Sequence, residues 1–246
     1  MKPAVNTSSV DKAFVLLEFL AASGRPASLQ EVTEAVKLPK PTAYRLLRAL
    51  QELGYVSRPA DSRNYLIGPR AARLAAIDPY ADLKAQAQPY LRRLHEEFNE
   101  TVNLGALSGN QVIYLDFLET TQALRFIVTP GQSDPYFCTA LGRAAASQLT
   151  DTKLGRLLSE TRIQLLTPNT IKTKEELHRR ILKTRQEGYA EEIEESVSGV
   201  CCLAVGLGPI GFSDAAISMA VPAQRLTPAR KSSIIRALKS LIISHA

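Results

Sequence analysis

The sequence of 246 residues is poor in the features that mark several large protein classes. It has three cysteines, an odd number, and two of them, Cys201 and Cys202, are adjacent. That is no disulfide framework, and a reducing cytoplasm is the expected location. Its three histidines, His95, His178 and His245, lie far apart and near no cysteine, which gives a structural zinc site little support. The longest uncharged stretch, Ser196 to Ser213, is broken by Gly199, Gly206, Gly208, Pro209 and Gly211. No membrane-spanning helix is expected from it. Asp11, Lys12 and Glu18 fall where the apolar part of a secretory signal would lie. Neither the phosphate-binding loop G-x-x-x-x-G-K-S/T nor the nucleophile elbow G-x-S-x-G is present, and no cofactor is implied.

What is present is an uneven distribution of charge. The net charge is +6. Residues 1–77 hold 11 Lys/Arg against 6 Asp/Glu, a net of +5, and residues 78–246 hold 19 against 18, a net of +1. A basic module on a neutral body fits a polyphosphate partner. On charge alone, a solvated basic surface fits equally well.

Pattern sharpens that choice. Val10, Ala13, Phe14 and Leu17, with Leu16 and Leu20 beside them, have helical spacing up to the break at Ser23-Gly24-Arg25-Pro26. Ser28 and Glu31 form a capping box that opens a second helix, with Leu29, Val32, Ala35 and Val36 inward. A third helix is expected from about Pro41 to Leu53, stopped by Gly54, with Ala43, Leu46, Leu47, Leu50 and Leu53 as its apolar face. Its other face carries Thr42, Tyr44, Arg45, Arg48 and Gln51, hydroxyls and guanidinium groups suited to base edges and phosphates. Tyr55–Arg58 and Arg63–Ile67 then read as a hairpin around a Pro59–Ser62 turn, with Arg58 and Arg63 beside its tip. Three short helices and a basic hairpin make a winged helix-turn-helix. A helical bundle with a polar face is the alternative.

Asp78 to Glu100 reads as one long helical segment with Leu83, Ala87, Tyr90, Leu91, Leu94 and Phe98 as its stripe. Pro79 suits its first turn, and Pro89 should kink or divide it. Strands are expected at Thr101–Ser108 and Gln111–Phe117 around Gly109-Asn110, at Leu124–Thr129, at Leu203–Leu207 and at Ala215–Val221. Helices are expected at Thr139–Leu149, at Asp151–Ser159, from a Thr173/Glu176 capping box to Gly188, and from Thr227-Pro228 almost to His245. The order gives an α+β domain. Two spots carry possible chemistry. The start of the Thr139 helix leaves backbone N–H groups free for a carboxylate or phosphate, with Ala140, Leu141 and Gly142 uncluttered. The acidic run Glu191, Glu192, Glu194 and Glu195 reads first as a solvated loop, yet a carboxylate beside the Cys201-Cys202 thiols would also line a small polar pocket.

These pieces in order resemble the IclR family of bacterial transcription regulators. The resemblance rests on Val10–Phe14, Leu38–Leu47, Leu53–Val56, Ala140–Ala144, Thr167–Ile171, Gly188–Ala190, Gly199–Ala204 and Ala216–Ser218, and it covers almost the whole chain. It implies a winged helix-turn-helix over residues 1–77 and, over 78–246, a linker helix plus a GAF-like effector-binding domain. It also implies a dimer or tetramer on double-stranded operator DNA near catabolic genes, answering a small organic acid or aromatic effector. The effector positions implied are Ala140, Leu141, Glu192, Cys202 and Ser218. Glu192 stands where better-known members have Asp, Ala220 where a second serine often follows, and Pro41 where a serine commonly precedes the threonine. The DNA-contacting set is Lys40, Thr42, Tyr44, Arg45, Arg48, Arg58 and Arg63, with no catalysis and no metal. The rival from another class is a small cysteine/carboxylate enzyme with a basic appendage, using Glu192 and Cys202. A scaffold without DNA contact is the third reading.

Overall fold

The computed structural model describes residues 8–59, 62–75 and 78–243. The chain forms two compact units, one ending at Pro79 and the next beginning at Tyr80. The hairpin-tip residues 60 and 61, and His245 at the other end, lie outside the described residues.

In the first unit Ser8 caps α1 (Ser9–Ser23) by accepting the Asp11 N–H. Ser28 and Glu31 make both bonds of the capping box of α2 (Leu29–Val36). Lys37 takes the left-handed conformation (φ +53°) that turns the chain toward α3 (Lys40–Glu52). Pro41 sits in the first turn of α3, where a missing N–H leaves no helical bond unmade. Strands β1 (Val56–Ser57) and β2 (Leu66–Ile67) pair antiparallel, and Ala27 bridges Tyr65. Leu16, Leu20, Val32, Leu47, Leu50, Val56 and Tyr65 form the core of this winged helix-turn-helix.

Three expectations need correction here. Val10 and Phe14 are 62% and 56% exposed, because they lie about 80–120° round the helix from Leu20 at 100° per residue. Leu53 is 53% exposed, since α3 ends at Glu52 and Leu53 serves as its C-cap. Helix α4 (Pro69–Ala75) was unforeseen; Arg70 ties it back to the Leu53 carbonyl at 3.2 Å and stacks 5.3 Å from the Tyr55 ring.

The second unit is built on one antiparallel sheet. Its strands are β3 (Thr101–Ser108), β4 (Gln111–Leu118), β5 (Ser133–Pro135), β6 (Ala190–Ile193), β7 (Val200–Leu207) and β8 (Phe212–Pro222). Their order is β5-β4-β3-β8-β7-β6. One face packs on α5 (Ala81–Phe98) and α9 (Pro228–Ile243), through Leu91, Leu94, Ile234 and Leu238 against Val102, Leu104, Val205, Ile217 and Met219. The other face packs on α6 (Ala140–Ser147), through Ala140, Leu141, Ala144 and Ala145 against Ala190, Ala204 and Ala216. Outside α6 lie α7 (Asp151–Glu160) and α8 (Lys174–Glu187). The whole is α+β. Period-two alternation divides each strand between these faces.

Small residues let α6 come close. A Cβ on Gly105 would stand 2.7 Å from the Leu141 Cδ2, and one on Gly206 would stand 2.5 Å from the Gln148 Cγ. Gly206, Gly208 and Gly211 have the spacing of a dinucleotide fingerprint, but they join antiparallel β7 to β8 with no helix following. A pyrophosphate finds no helix N-terminus there.

Other expectations also change. Leu124–Thr129 is a loop. The edge of β4 is taken instead by the next segment, where Gly131 N–H donates to the Tyr114 carbonyl and Tyr114 N–H to that of Gln132. Helix α5 runs unbroken through Pro89, starts after Pro79, and belongs to the core of the sheet unit. In the Thr173 cap, Glu176 accepts from the Lys172 N–H rather than from that of Thr173. The acidic run is no solvated loop: its first half forms β6, and Glu192 and Glu195 are buried.

Candidate functional site

The first candidate surface is the free face of α3. Burial of Ala43, Leu47 and Leu50 turns the intervening positions outward. Lys40, Tyr44, Arg45 and Arg48 are exposed there and Thr42 is half-buried. Lys40 and Arg45 make no ion pair or hydrogen bond with the described residues, whereas Arg48 Nε holds Glu52 Oε1 at 3.1 Å. On the hairpin, Arg58 Nε donates to the Ser62 carbonyl at 3.1 Å and its guanidinium stands 5.6 Å over the Tyr65 ring. Arg63 is exposed nearby. The result is a ridge of cations and hydroxyls on a rigid helix, with a basic arm beside it.

The second candidate site lies on the α6 face of the sheet. Register places Glu192 opposite Cys202, Cys202 opposite Ala220, and Ala220 opposite Thr101. One row along, Ala204 stands opposite Ser218 and Ser218 opposite Asn103. These residues share one face by alternation. Phe126 and Val128 of the 119–131 loop pack in the same cluster as Ala140 and Leu141. That loop is anchored by Arg225, which donates to the Leu124 carbonyl at 2.9 Å and also holds the buried Glu100 carboxylate. At the start of α6, Thr139 Oγ1 caps the Gly142 N–H at 3.0 Å, while the buried Ala140 and Leu141 N–H groups have no acceptor among the described residues.

Three buried side-chain oxygens on this face have no hydrogen-bond partner among the described residues: Thr101 Oγ1, Asn103 Oδ1 and Glu192 Oε2. Each unmade bond costs about 1–3 kcal/mol, so the fold carries here a polarity that its own packing does not use. Thr101 and Asn103 were missed in the sequence. The signal was there: two polar residues alternate with Val102 and Leu104 on a strand buried on both faces.

Glu192 is fully buried. Its Oε1 accepts the Glu195 N–H at 2.5 Å and the Ser196 N–H at 3.0 Å. Burial lifts its carboxyl to about 7, against those two N–H bonds and the charge of Arg143. Burial, then the neighbouring Glu192, holds the Cys202 thiol well above its ordinary range. His95 sits on α5, across the sheet, with Nδ1 at 3.3 Å from the Glu100 carbonyl, and His178 is exposed on α8. Neither His95 nor His178 is placed to activate the thiol.

A neutral Glu192 favours folding, so its contribution has a definite sign. A carboxyl raised from 4.5 to about 7 stabilises the fold fully below pH 4.5, and that stabilisation is lost as pH rises to about 7. Thermal melts of Glu192→Gln between pH 5 and 8 are therefore expected to show a flatter pH dependence than wild type. The groups around it (Arg143, Glu195, Cys201, Cys202 and Cys138) stay in both proteins. Parallel curves would remove Glu192 as the titrating group.

Family models match both units. The IclR helix-turn-helix domain matches residues 9–60, and the C-terminal domain of the bacterial transcriptional regulator IclR matches residues 77–242. The chain belongs to the IclR family. The regulator is 34% identical to the probable transcriptional regulator SauR of Cupriavidus necator, over 88% of this chain and 86% of that one. It is 29% identical to the transcriptional repressor IclR of Escherichia coli, over 99% and 94%. The crystal structure of Thermotoga maritima IclR superposes with a TM-score of 0.73 at 25% identity, covering 94% of each chain. The regulator thus carries the helix-turn-helix and the C-terminal α+β unit of the IclR transcriptional regulators. Among the described residues, no helix is long and apolar enough to cross a membrane.

Proposed function

We propose that α3 and the hairpin carry operator recognition, with Thr42, Tyr44 and Arg45 at base edges and Lys40 and Arg48 on flanking phosphates. Arg58 and Arg63 add backbone or minor-groove contacts. The observation that supports this most is the exposure of Lys40 and Arg45 with no side-chain partner among the described residues, on the free face of a helix-turn-helix. The protein works by binding alone, as a cytoplasmic homo-oligomer on palindromic DNA.

The effector in this reading is a small organic or aromatic acid. Its carboxylate takes the free N–H groups of Ala140 and Leu141, over a floor of Cys202, Ser218 and Glu192. The ligand binds one face of the sheet whose other face carries α5, and it acts by differing affinity for two states of the regulator.

Fluorescence anisotropy of the full chain on the DNA upstream of its own gene, against a scrambled duplex and across a salt series, tests the DNA part. Sequence-selective binding is expected, with log affinity falling by about 0.9 per phosphate neutralised for each unit of log salt. Equally weak binding to both duplexes at every salt concentration would overturn it.

A further inference from the structure

The effector positions implied by family resemblance leave one side of the site unassigned. Ala220 offers only a methyl group on β8, so the polar group next along the row is Thr101 on β3, about two strand spacings of ~4.8 Å from Cys202. Thr101 is 1% exposed, its neighbour Asn103 2%, and both end in an oxygen without a partner. Buried polar groups are ordinarily satisfied. Two such atoms, on consecutive site-facing positions of one strand, under a helix whose first N–H groups are also free, mark a place shaped for something the chain does not itself supply.

The geometry points to a second effector subsite formed by Thr101 and Asn103, which receives a hydroxyl group, so that the effector is a hydroxylated carboxylic acid. It rests on the placement of the carboxylate at the start of α6. A hydroxyl both donates and accepts, and so do the threonine hydroxyl and the asparagine amide. A second carboxylate suits the subsite poorly. Asn103 Oδ1 needs a donor, and Glu192, on the same face of the sheet, would repel an anion once ionised. A bare methyl group would leave both oxygens unpaired, and a site built around a substrate hydroxyl discriminates strongly against the analogue that lacks it.

The test is calorimetric titration of the full-length protein with matched acids: lactate against propionate, 3-hydroxybutyrate against butyrate, 4-hydroxybenzoate against benzoate. In at least one pair the hydroxylated member is expected to bind wild type about tenfold or more tightly. In Thr101→Val and Asn103→Leu that preference should shrink to about twofold or less, while the ligand-free variants melt no lower than wild type, because an orphaned polar group has been replaced by an apolar one of similar shape. Binding of acids without a hydroxyl preference, or a preference that survives both substitutions, would overturn the subsite and leave the carboxylate site standing. Binding of none of the six acids would withdraw the carboxylate site and the subsite together.

Discussion

Arg143→Ala is expected to lower the stability of the sheet unit by ~3–5 kcal/mol, which a thermal melt would register as a fall of roughly 6–20 °C. The guanidinium is 1% exposed and grips the Glu195 carboxylate with both arms, at 2.6 and 2.8 Å. It also donates to the Phe137 carbonyl at 2.9 Å and to that of Glu191. One side chain thereby joins α6, the segment before it, β6 and the turn after β6. Truncation leaves the buried Glu195 carboxylate without its partner and takes the guanidinium from two carbonyls, and that is what makes the loss large. Replacing the pair together, Arg143→Met with Glu195→Leu, removes both charges and keeps most of the volume, so the double variant should recover most of the loss. A single Arg143→Ala variant that melts within about a degree of wild type would show that the pair contributes nothing.

The same pair bears on the proposed effector site. The Glu195 carbonyl accepts from Thr170 Oγ1 at 2.7 Å, and the Glu194 carbonyl from Thr167 Oγ1 at 2.6 Å. These bonds hold the turn whose N–H groups grip Glu192. A destabilised turn therefore loosens the hold on the Glu192 carboxyl.

The largest effect on DNA binding is expected from Arg45. If it reads a guanine edge, Arg45→Ala should weaken the cognate complex by ~1–3 kcal/mol, roughly 5–150-fold, and relax selectivity at one base position. Among the described residues its side chain has no competing partner to release. Arg48 differs, since it is engaged with Glu52 at 3.1 Å and must trade that pair for phosphate. Arg48→Ala should weaken cognate and scrambled duplexes alike and reduce the salt slope by about 0.9. An equal loss on both duplexes for Arg45→Ala would reassign that residue to the backbone.

Much of this was legible in the residues themselves. Helix caps at Ser28 and Thr139, the stop at Gly188 and the hairpin at Gly109-Asn110 are local chemistry, decided by a few neighbouring atoms. So is the two-faced pattern of α3, because its period fixes which residues are outward. The apolar run at Leu124–Thr129 misled for a non-local reason: residues 131–135 already occupy the edge of β4, and Phe126 and Val128 pack instead against the α6 cluster. The charge pattern Glu191–Glu195 misled similarly, since only pairing with β7 and the reach of Arg143 make its burial tolerable.

By itself, then, the sequence determined the helix caps, most of the helices, the central strands and the basic outward face of α3, because each follows from local spacing and side-chain type. Tertiary structure alone decided that Thr101 and Asn103 on β3 and Glu192 on β6 share one face of the sheet. Strand register is a property of pairing between distant segments, and an unpaired polar atom exists only once everything around it has been placed.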